Sequence, residues 1–171
     1  MLCSTLAQAS SFEIDMEGTA TNVIDGDTYD VIASNGTQYR VRLADVNAPE
    51  RDTTGYNEAK EYLTTLVKGK RVYLDIDDIY TWDAHGTGNR IVCVTYVEYN
   101  STYYLNVNEG LFEAGLVEKK EYDNEFNPYV WTLYELKQES FEFSSTTILA
   151  GIAVVLVVLV VFYLIRFRQR S

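Results

Sequence analysis

Val-Ile-Asp-Gly-Asp-Thr at positions 23–28, Arg-Leu at 42–43 and Val-Asn-Ala-Pro-Glu at 46–50 are the decisive segments of this 171-residue chain. A predicted strand presents Asp27, a second strand presents Arg42, and the turn after it presents Asn47 and Glu50. Carboxylate and amide oxygens suit a hard divalent cation, a guanidinium suits a phosphate, and a carboxylate can act as a general base. Hydrolysis of a phosphodiester needs these three features together.

The hydrophobic pattern predicts an α+β domain built on a five-stranded OB-fold β-barrel with about three helices. Asn35-Gly36 separates two alternating segments, which is a strong hairpin signal because both turn positions favour positive φ. Apolar residues at helical spacing predict a helix over 56–68, which ends at Gly69. Further helices are predicted over 106–116 and 129–140. Five strands with a helix after the third are typical of an OB-type barrel.

Four ordered motifs resemble those of the staphylococcal (thermonuclease-like) nuclease family. Its pattern is I-D-G-D-T, then R-L-x-x-[VI]-D-x-P-E, then Gly-Arg in a later strand, then V-N-x-x-[LM]-x-x-G-L-A. The third motif corresponds here to Gly-Asn-Arg-Ile-Val at 88–92, without the adjacent Gly-Arg. The fourth corresponds to the segment that begins Val-Asn at 107–108 and runs to Val117. The resemblance covers about residues 15–140 and implies the same barrel.

The resemblance implies a calcium site. In the family, the second aspartate of the first motif and the aspartate before the x-P-E turn bind the ion, and Asp27 matches the first of these. Asn47 stands at the second position, where it either supplies an amide oxygen or caps the turn. The backbone carbonyl of Ala48 completes the expected set, and Asp45 could add a further oxygen from the same face.

The resemblance also assigns the catalytic roles. Glu50 matches the glutamate that activates or positions the attacking water, Arg42 the arginine that grips the phosphate, and Arg90 the arginine that stabilises the transition state. A guanidinium suits both arginine roles because its planar fork meets two oxygens at once and stays charged. The base-stacking tyrosines of the family fall near Tyr122, which is the candidate platform here.

The charge of the predicted domain is unusual for a nucleic-acid binder. Residues 10–143 carry all 25 acidic residues and 11 of the 14 basic ones, which gives a net formal charge of −14. A phosphate polymer is repelled by such a field at long range. Either salt screens the field, within about 8 Å at physiological ionic strength, or the domain no longer binds nucleic acid.

The two ends of the chain have their own character. Residues 1–10 are interpreted as a leader or the remnant of a signal peptide, because Ala-Gln-Ala at 7–9 resembles a small-x-small cleavage site. The domain is predicted over 11–140 and a linker over 141–147. The apolar run 148–165 is predicted to be a transmembrane helix. The tail 166–171 contains three arginines, which favours a cytoplasmic tail and an outward-facing domain over a tail-anchored cytoplasmic one.

The sequence therefore predicts a membrane-anchored, calcium-dependent nuclease. By family analogy its substrates are DNA and RNA, cut with little sequence preference and with single strands favoured. Asn47 and the acidic charge keep a second hypothesis open, a catalytically weak or inactive OB-fold module that binds nucleic acid or another partner at the cell surface. A purely structural surface domain is the third.

Overall fold

A computed structural model describes residues 12–79 and 90–137 of the chain. The predicted leader 1–10, the linker 141–147, the transmembrane helix 148–165 and the tail 166–171 all lie outside these ranges. Within them, no helix combines the length and apolar character needed to cross a bilayer.

The described elements, in chain order, are β1 (Met16–Val23), β2 (Thr28–Ala33), β3 (Gln38–Leu43), β4 (Val46–Asn47), α1 (Tyr56–Val67), β5 (Arg71–Ile76), β6 (Arg90–Glu98), β7 (Tyr103–Asn106), α2 (Val107–Glu113), β8 (Glu118–Lys119) and β9 (Tyr134–Leu136).

Five of these strands close into a barrel. The antiparallel pairs β1–β2, β2–β3, β1–β5 and β5–β6 form four of its seams, and β3 runs parallel to β6 to complete the ring. The predicted five-stranded, OB-like barrel in an α+β fold is thus confirmed. The predicted Asn-Gly hairpin joins β2 to β3, with Gly36 at φ 83°. The register of the barrel sets Thr28 opposite Arg42 and Arg42 opposite Val92.

Helix α1 closes one end of the barrel. Its apolar face, predicted from helical spacing, buries Ala59, Leu63 and Val67. These side chains pack with barrel residues such as Val41 and Leu74, which are fully buried. The helix ends at Val67, two residues before the predicted stop at Gly69, whose positive φ of 74° suits glycine and whose amide donates to the Ala20 carbonyl. This packing places the N-terminal end of α1 beside the turn between β1 and β2.

The third predicted helix, over 129–140, is wrong in its described part. Residues 134–136 form strand β9, which pairs antiparallel with β7. Exposure alternates from Trp131 to Lys137, the period of a strand, and Pro128 precedes the segment. A short apolar run is ambiguous between the two periods, and the open edge of β7 decides in favour of the strand. The described part of the chain therefore contains two helices.

The segment that precedes β1 is fastened to β5 by carboxylates. The Asp15 carboxylate accepts the Ile76 amide at 2.7 Å, and the Asp75 carboxylate accepts the Glu13 amide at 3.1 Å. Burial raises the pKa of Asp75 from its usual 3.8 to about 7 against the opposing Glu13 hydrogen bond. The negative charges of Asp15, Glu125 and Glu13 raise it further. Asp75 is therefore protonated in the fold at pH values where the unfolded chain has lost this proton.

This pKa predicts how stability depends on pH. Between about pH 4 and pH 7 the folded state binds one more proton at Asp75 than the unfolded state, so this group's contribution to the free energy of unfolding falls as pH rises. Asp75→Asn removes the titration but keeps an oxygen for the Glu13 amide. We expect the variant to gain stability relative to the native chain from pH 5 to pH 7.5, measured by urea unfolding. A difference that does not change with pH would contradict the assignment.

Candidate active site

Asp27 joins the β1–β2 turn to the segment after β3. It precedes the first residue of β2, and its carbonyl accepts the Leu43 amide at 2.9 Å. Its side chain is buried, and its Oδ2 accepts the Ala48 amide at 2.8 Å. The turn itself is stabilised by the Asp25 carboxylate, which accepts the Asp27 amide at 3.2 Å. The Asp-Gly-Asp motif therefore fixes both the turn and the position of residue 48.

Arg42 lies against the same carboxylate. Its Nη2 is 3.1 Å from Asp27 Oδ2, and its Nη1 donates to the Leu43 carbonyl at 2.7 Å. Burial raises the pKa of Asp27, while the Arg42 charge and the Ala48 amide oppose that shift. The ion pair holds the guanidinium in one place and leaves other N–H donors for a phosphate.

A polar pocket of about 170 Å³ adjoins Asp27. Its lining includes three carboxylates, those of Asp25, Asp27 and Glu50, with Arg51 and Tyr56 beside them. Glu50 is exposed, and its backbone carbonyl accepts both the amide and the hydroxyl of Thr53. The structure thus brings Asp27, Ala48 and Glu50 together in one pocket, next to Arg42.

Asn47 faces a neighbouring pocket of about 380 Å³. As the second residue of β4 it pairs with Glu118 of β8, and both residues line that pocket. Ala48, Pro49 and Glu50 line both this pocket and that of Asp27, so the two pockets are adjacent. Its role as a metal ligand stays a prediction.

Arg90 is the exposed first residue of β6. The parallel register sets it opposite Arg40, two residues before Arg42 on β3. Arg40 is paired with Asp30, with 2.9 Å between Nε and Oδ1. Arg90 therefore lies on the strand next to Arg42 but does not line the pocket of Asp27 and Glu50. Its catalytic role stays a prediction.

Asp45 and Tyr122 lie together on another pocket, of about 480 Å³. Arg42, Leu43 and Val92 also line it, and Arg42 is the residue whose guanidinium contacts Asp27. The Asp45 carboxylate accepts the Tyr122 amide at 3.0 Å. Burial raises the pKa of Asp45. Its use as an additional metal ligand stays a prediction, and its hydrogen bonds are made to the segment that carries Tyr122.

The donor chemistry of the Asp27 pocket suits a hard divalent cation. Asp27 Oδ1 accepts only the Thr28 hydroxyl among the described residues, at 3.0 Å, and so retains a lone pair. Glu50 and Asp25 add further carboxylate oxygens at the pocket wall. Within residues 12–79 and 90–137 no three His, Cys, Asp or Glu side chains enclose a metal position. Calcium commonly completes its coordination with carbonyl oxygens and water, so Asp27, Glu50 and the Ala48 carbonyl remain suitable ligands.

Three residues of functional interest escaped the sequence reasoning. Asp25 and Tyr56 line the pocket, and the Tyr56 hydroxyl donates to the Ile24 carbonyl at 3.3 Å. Asn108 is fully buried and donates to the Ala44 carbonyl at 2.9 Å, while its Oδ1 accepts the Thr95 amide at 3.0 Å. Asp25 lies in the first family motif and Asn108 in the fourth, so their positions in the motifs could have identified them as site residues. Nothing in the sequence indicated Tyr56.

At Gly26 the β1–β2 turn packs closely against both Ala48 and helix α1. A Cβ at this position would lie 2.6 Å from the methyl groups of both Ala48 and Ala59, a distance that forces one of them to move. The turn can therefore reach both the Ala48 amide and helix α1 only because residue 26 has no side chain.

Gly26→Ala is expected to destabilise the fold by about 1–3 kcal/mol, the usual cost of overpacking, and to weaken the hydrogen bond from the Ala48 amide to Asp27. Urea unfolding measures the first effect, and hydrogen exchange of the Ala48 amide measures the second. The double variant Gly26→Ala/Ala48→Gly removes one of the two clashes and should recover part of the loss. A fully stable single variant with a protected Ala48 amide would contradict this account.

Comparison with known proteins shows the family of this chain. The family model described as "Staphylococcal nuclease homologue" matches residues 40–142, which is more than half of the chain. The micrococcal nuclease of Shigella flexneri is 28% identical over 130 residues, which cover 74% of this chain and 70% of that protein. The protein ParB of Escherichia coli is 33% identical over 75 residues, or 44% of this chain and 42% of that protein. The chain belongs to the staphylococcal nuclease homologue family.

Proposed function

We propose that this protein is a calcium-dependent nuclease that hydrolyses phosphodiester bonds of DNA and RNA. The observation that carries the proposal is the contact of Arg42 with Asp27 at the edge of the pocket that Glu50 lines. A fixed guanidinium, a buried carboxylate and an exposed carboxylate are the groups that this hydrolysis needs. Family membership and the similarity to a micrococcal nuclease support the same reaction.

In the proposed mechanism each of these residues acts on a different part of the reaction. Glu50 is exposed and, within the described residues, its carboxylate has no fixed partner, so it is free to hold and activate a water molecule. Arg42 binds the phosphate through the donors that Asp27 does not use, and Arg90 adds positive charge from the next strand. Asp27 and the Ala48 carbonyl would hold a calcium ion, with Asn47 as the predicted third ligand, and the bound ion would polarise the phosphate and offset its charge.

One feature, the exposed Tyr122, favours single-stranded substrates with little sequence preference. Tyr122 is 41% exposed and lines the pocket that Arg42 also lines. A base can stack on such a ring only when it is unpaired, and stacking tolerates every base because each one has a π face. The net charge of the domain makes calcium and salt more important for binding than in a basic nuclease.

The proposed location is the outer face of a membrane. The uncharged run 148–165 has the length of a single transmembrane helix, and the arginines of 166–171 favour a cytoplasmic C-terminus. A nuclease domain outside the membrane would act on external nucleic acid.

A binding module without catalysis is the second candidate, and one observation favours it. Asn47 replaces the second metal carboxylate of the family pattern and faces the pocket next to that of Asp27. A site that binds calcium weakly would bind nucleic acid and cut it slowly or not at all. Cleavage separates the two candidates.

The first test is cleavage of labelled single-stranded DNA by the full-length chain, in calcium and in excess chelator. We expect calcium-dependent cutting that Glu50→Gln lowers by about 10²- to 10⁴-fold, the usual contribution of general-base catalysis. Glu58→Gln is the matched control, since it removes an exposed carboxylate from the first turn of α1. Binding without cutting at high calcium would favour the second candidate, and neither binding nor cutting would contradict both.

Asn47→Asp tests the metal site by adding a carboxylate to it. A second carboxylate adds negative charge beside Ala48, so calcium should bind more tightly. We expect the calcium concentration for half-maximal cleavage to fall by about tenfold, roughly 1.4 kcal/mol. Glu118→Gln, which alters the charge opposite Asn47 on β8, controls for a general effect of charge. An unchanged calcium requirement in Asn47→Asp would show that residue 47 takes no part in metal binding.

A further inference from the structure

Among the described residues, segment 120–124 makes hydrogen bonds to the turn between β3 and β4 through Asp45, while its flanks are held by the β4–β8 pairing and by the Glu125 amide, which donates to the Asp77 carboxylate at 3.2 Å. The Asp45 backbone carbonyl accepts the Lys120 amide at 3.0 Å. Its Oδ1 accepts the Tyr122 amide at 3.0 Å and the Asn124 side-chain amide at 2.7 Å. Three hydrogen bonds thus converge on one residue of the turn between β3 and β4, and one of them fixes the backbone of Tyr122 itself.

The conformation and burial of Asp45 are unusual for a residue that only shapes a turn. Its φ is 50°, in the left-handed region where Asp and Asn are among the few non-glycine residues that are tolerated. It is 1% exposed, and its Oδ2 has no hydrogen-bond partner among the described residues. A buried carboxylate with one unpaired oxygen lowers stability. Such a cost is expected where a residue serves a site rather than the fold.

The turn that carries Asp45 is itself held rigidly. The buried side chain of Asn108, on α2, donates to the Ala44 carbonyl at 2.9 Å. The Ala44 amide in turn donates to the Cys93 carbonyl of β6 at 2.8 Å. Asp45 therefore lies in a rigid turn of the barrel, and the 120–124 segment is hydrogen-bonded to it.

Residues 122–124 of this segment line the 480 Å³ pocket that Arg42 and Val92 also line. The Lys120 ammonium lies over one face of the Tyr122 ring, 5.1 Å from the ring centre, so a base would stack on the other face. Arg42, the proposed phosphate ligand, thus lines the same pocket as Tyr122 and Asp45.

We propose that Asp45 is a positioning residue that fixes Tyr122 as the stacking wall of a nucleobase subsite next to Arg42. The inference rests on the proposed function, because it assigns the pocket to the base that adjoins the bound phosphate. Asp45 acts through Tyr122 and does not touch the reacting atoms. Its loss should therefore weaken recognition of the base more than recognition of the sugar-phosphate chain.

The test compares two fluorescein-labelled single strands of equal length, oligothymidylate and the same backbone with abasic sites throughout. Affinities are measured by fluorescence anisotropy in calcium, with the full-length chain in the Glu50→Gln background so that neither strand is cut. The parent should prefer the base-bearing strand by about tenfold or more, because only that strand can stack a base on the Tyr122 ring. Tyr122→Ala should remove most of this preference.

Two substitutions at position 45 separate the carboxylate from the backbone conformation. Asp45→Gly accepts a φ of 50° without strain but removes the acceptor, so it should lose the preference as Tyr122→Ala does. Asp45→Asn tolerates the same φ and keeps an acceptor oxygen, so it should retain most of the preference. The double variant Asp45→Gly/Tyr122→Ala should lose no more than either single variant, because both act on one contact. Glu121→Gln, on the same segment, is the control for loss of a nearby negative charge.

The possible results distinguish this inference from the proposed function. A parent that binds neither strand would overturn both. A parent that prefers the base-bearing strand, with an Asp45→Gly variant that keeps the preference or loses affinity for both strands equally, would overturn the role of Asp45 alone. Tyrosine and tryptophan near-ultraviolet circular dichroism checks that each variant is folded, and Asp45→Asn and Tyr122→Ala still decide the question if Asp45→Gly is not.

Discussion

The carboxylate of Asp27 is the constraint on which the rest of the site depends. It accepts the Ala48 amide at 2.8 Å and lies 3.1 Å from the Arg42 guanidinium, so one side chain connects the β1–β2 turn to the end of β3 and to the segment after β4. Burial raises its pKa, and the Arg42 charge opposes that shift. Asp27 thus stabilises the structure of the site as well as being a proposed metal ligand. Its replacement would displace Arg42 and the segment that contains Ala48.

Asp27 and Asp45 perform related tasks on the two sides of Arg42. Each is buried, and each uses its carboxylate to fix a backbone amide of a neighbouring segment, Ala48 in one case and Tyr122 in the other. Arg42 contacts Asp27 of the pocket that Glu50 lines, and it also lines the pocket of Tyr122. A phosphate bound to Arg42 would therefore have a carboxylate for water activation on one side and an aromatic ring for a base on the other. In a domain with a net charge of −14, this local arrangement matters more for binding than the overall field.

The sequence predicted the barrel well because its signals are local. Asn35-Gly36 predicted the β2–β3 hairpin, helical spacing predicted α1, and Gly69 predicted the end of α1 to within two residues, and the structure confirms each. The helix predicted over 129–140 failed because its period was ambiguous over a few residues and an open edge at β7 was available. The local sequence pattern does not show which edge of a sheet lacks a partner. Formation of β9 therefore depended on its tertiary contact with β7.

The same division applies to the candidate site. The sequence by itself determined the residue types, their order and the barrel that carries them, because the motifs require particular side chains at particular spacings along the strands. Only the tertiary structure decided which of them meet. Asp27, Ala48 and Glu50 share one pocket with Asp25 and Tyr56, whereas Asn47 faces the next pocket and Arg90 lies opposite Arg40. Asp45 engages the 120–124 segment, more than 70 residues away in sequence. The register of β3 against β6 places Arg90 opposite Arg40, and the left-handed backbone of Asp45 sets the direction of its own side chain. Spacing along the sequence specifies neither of these.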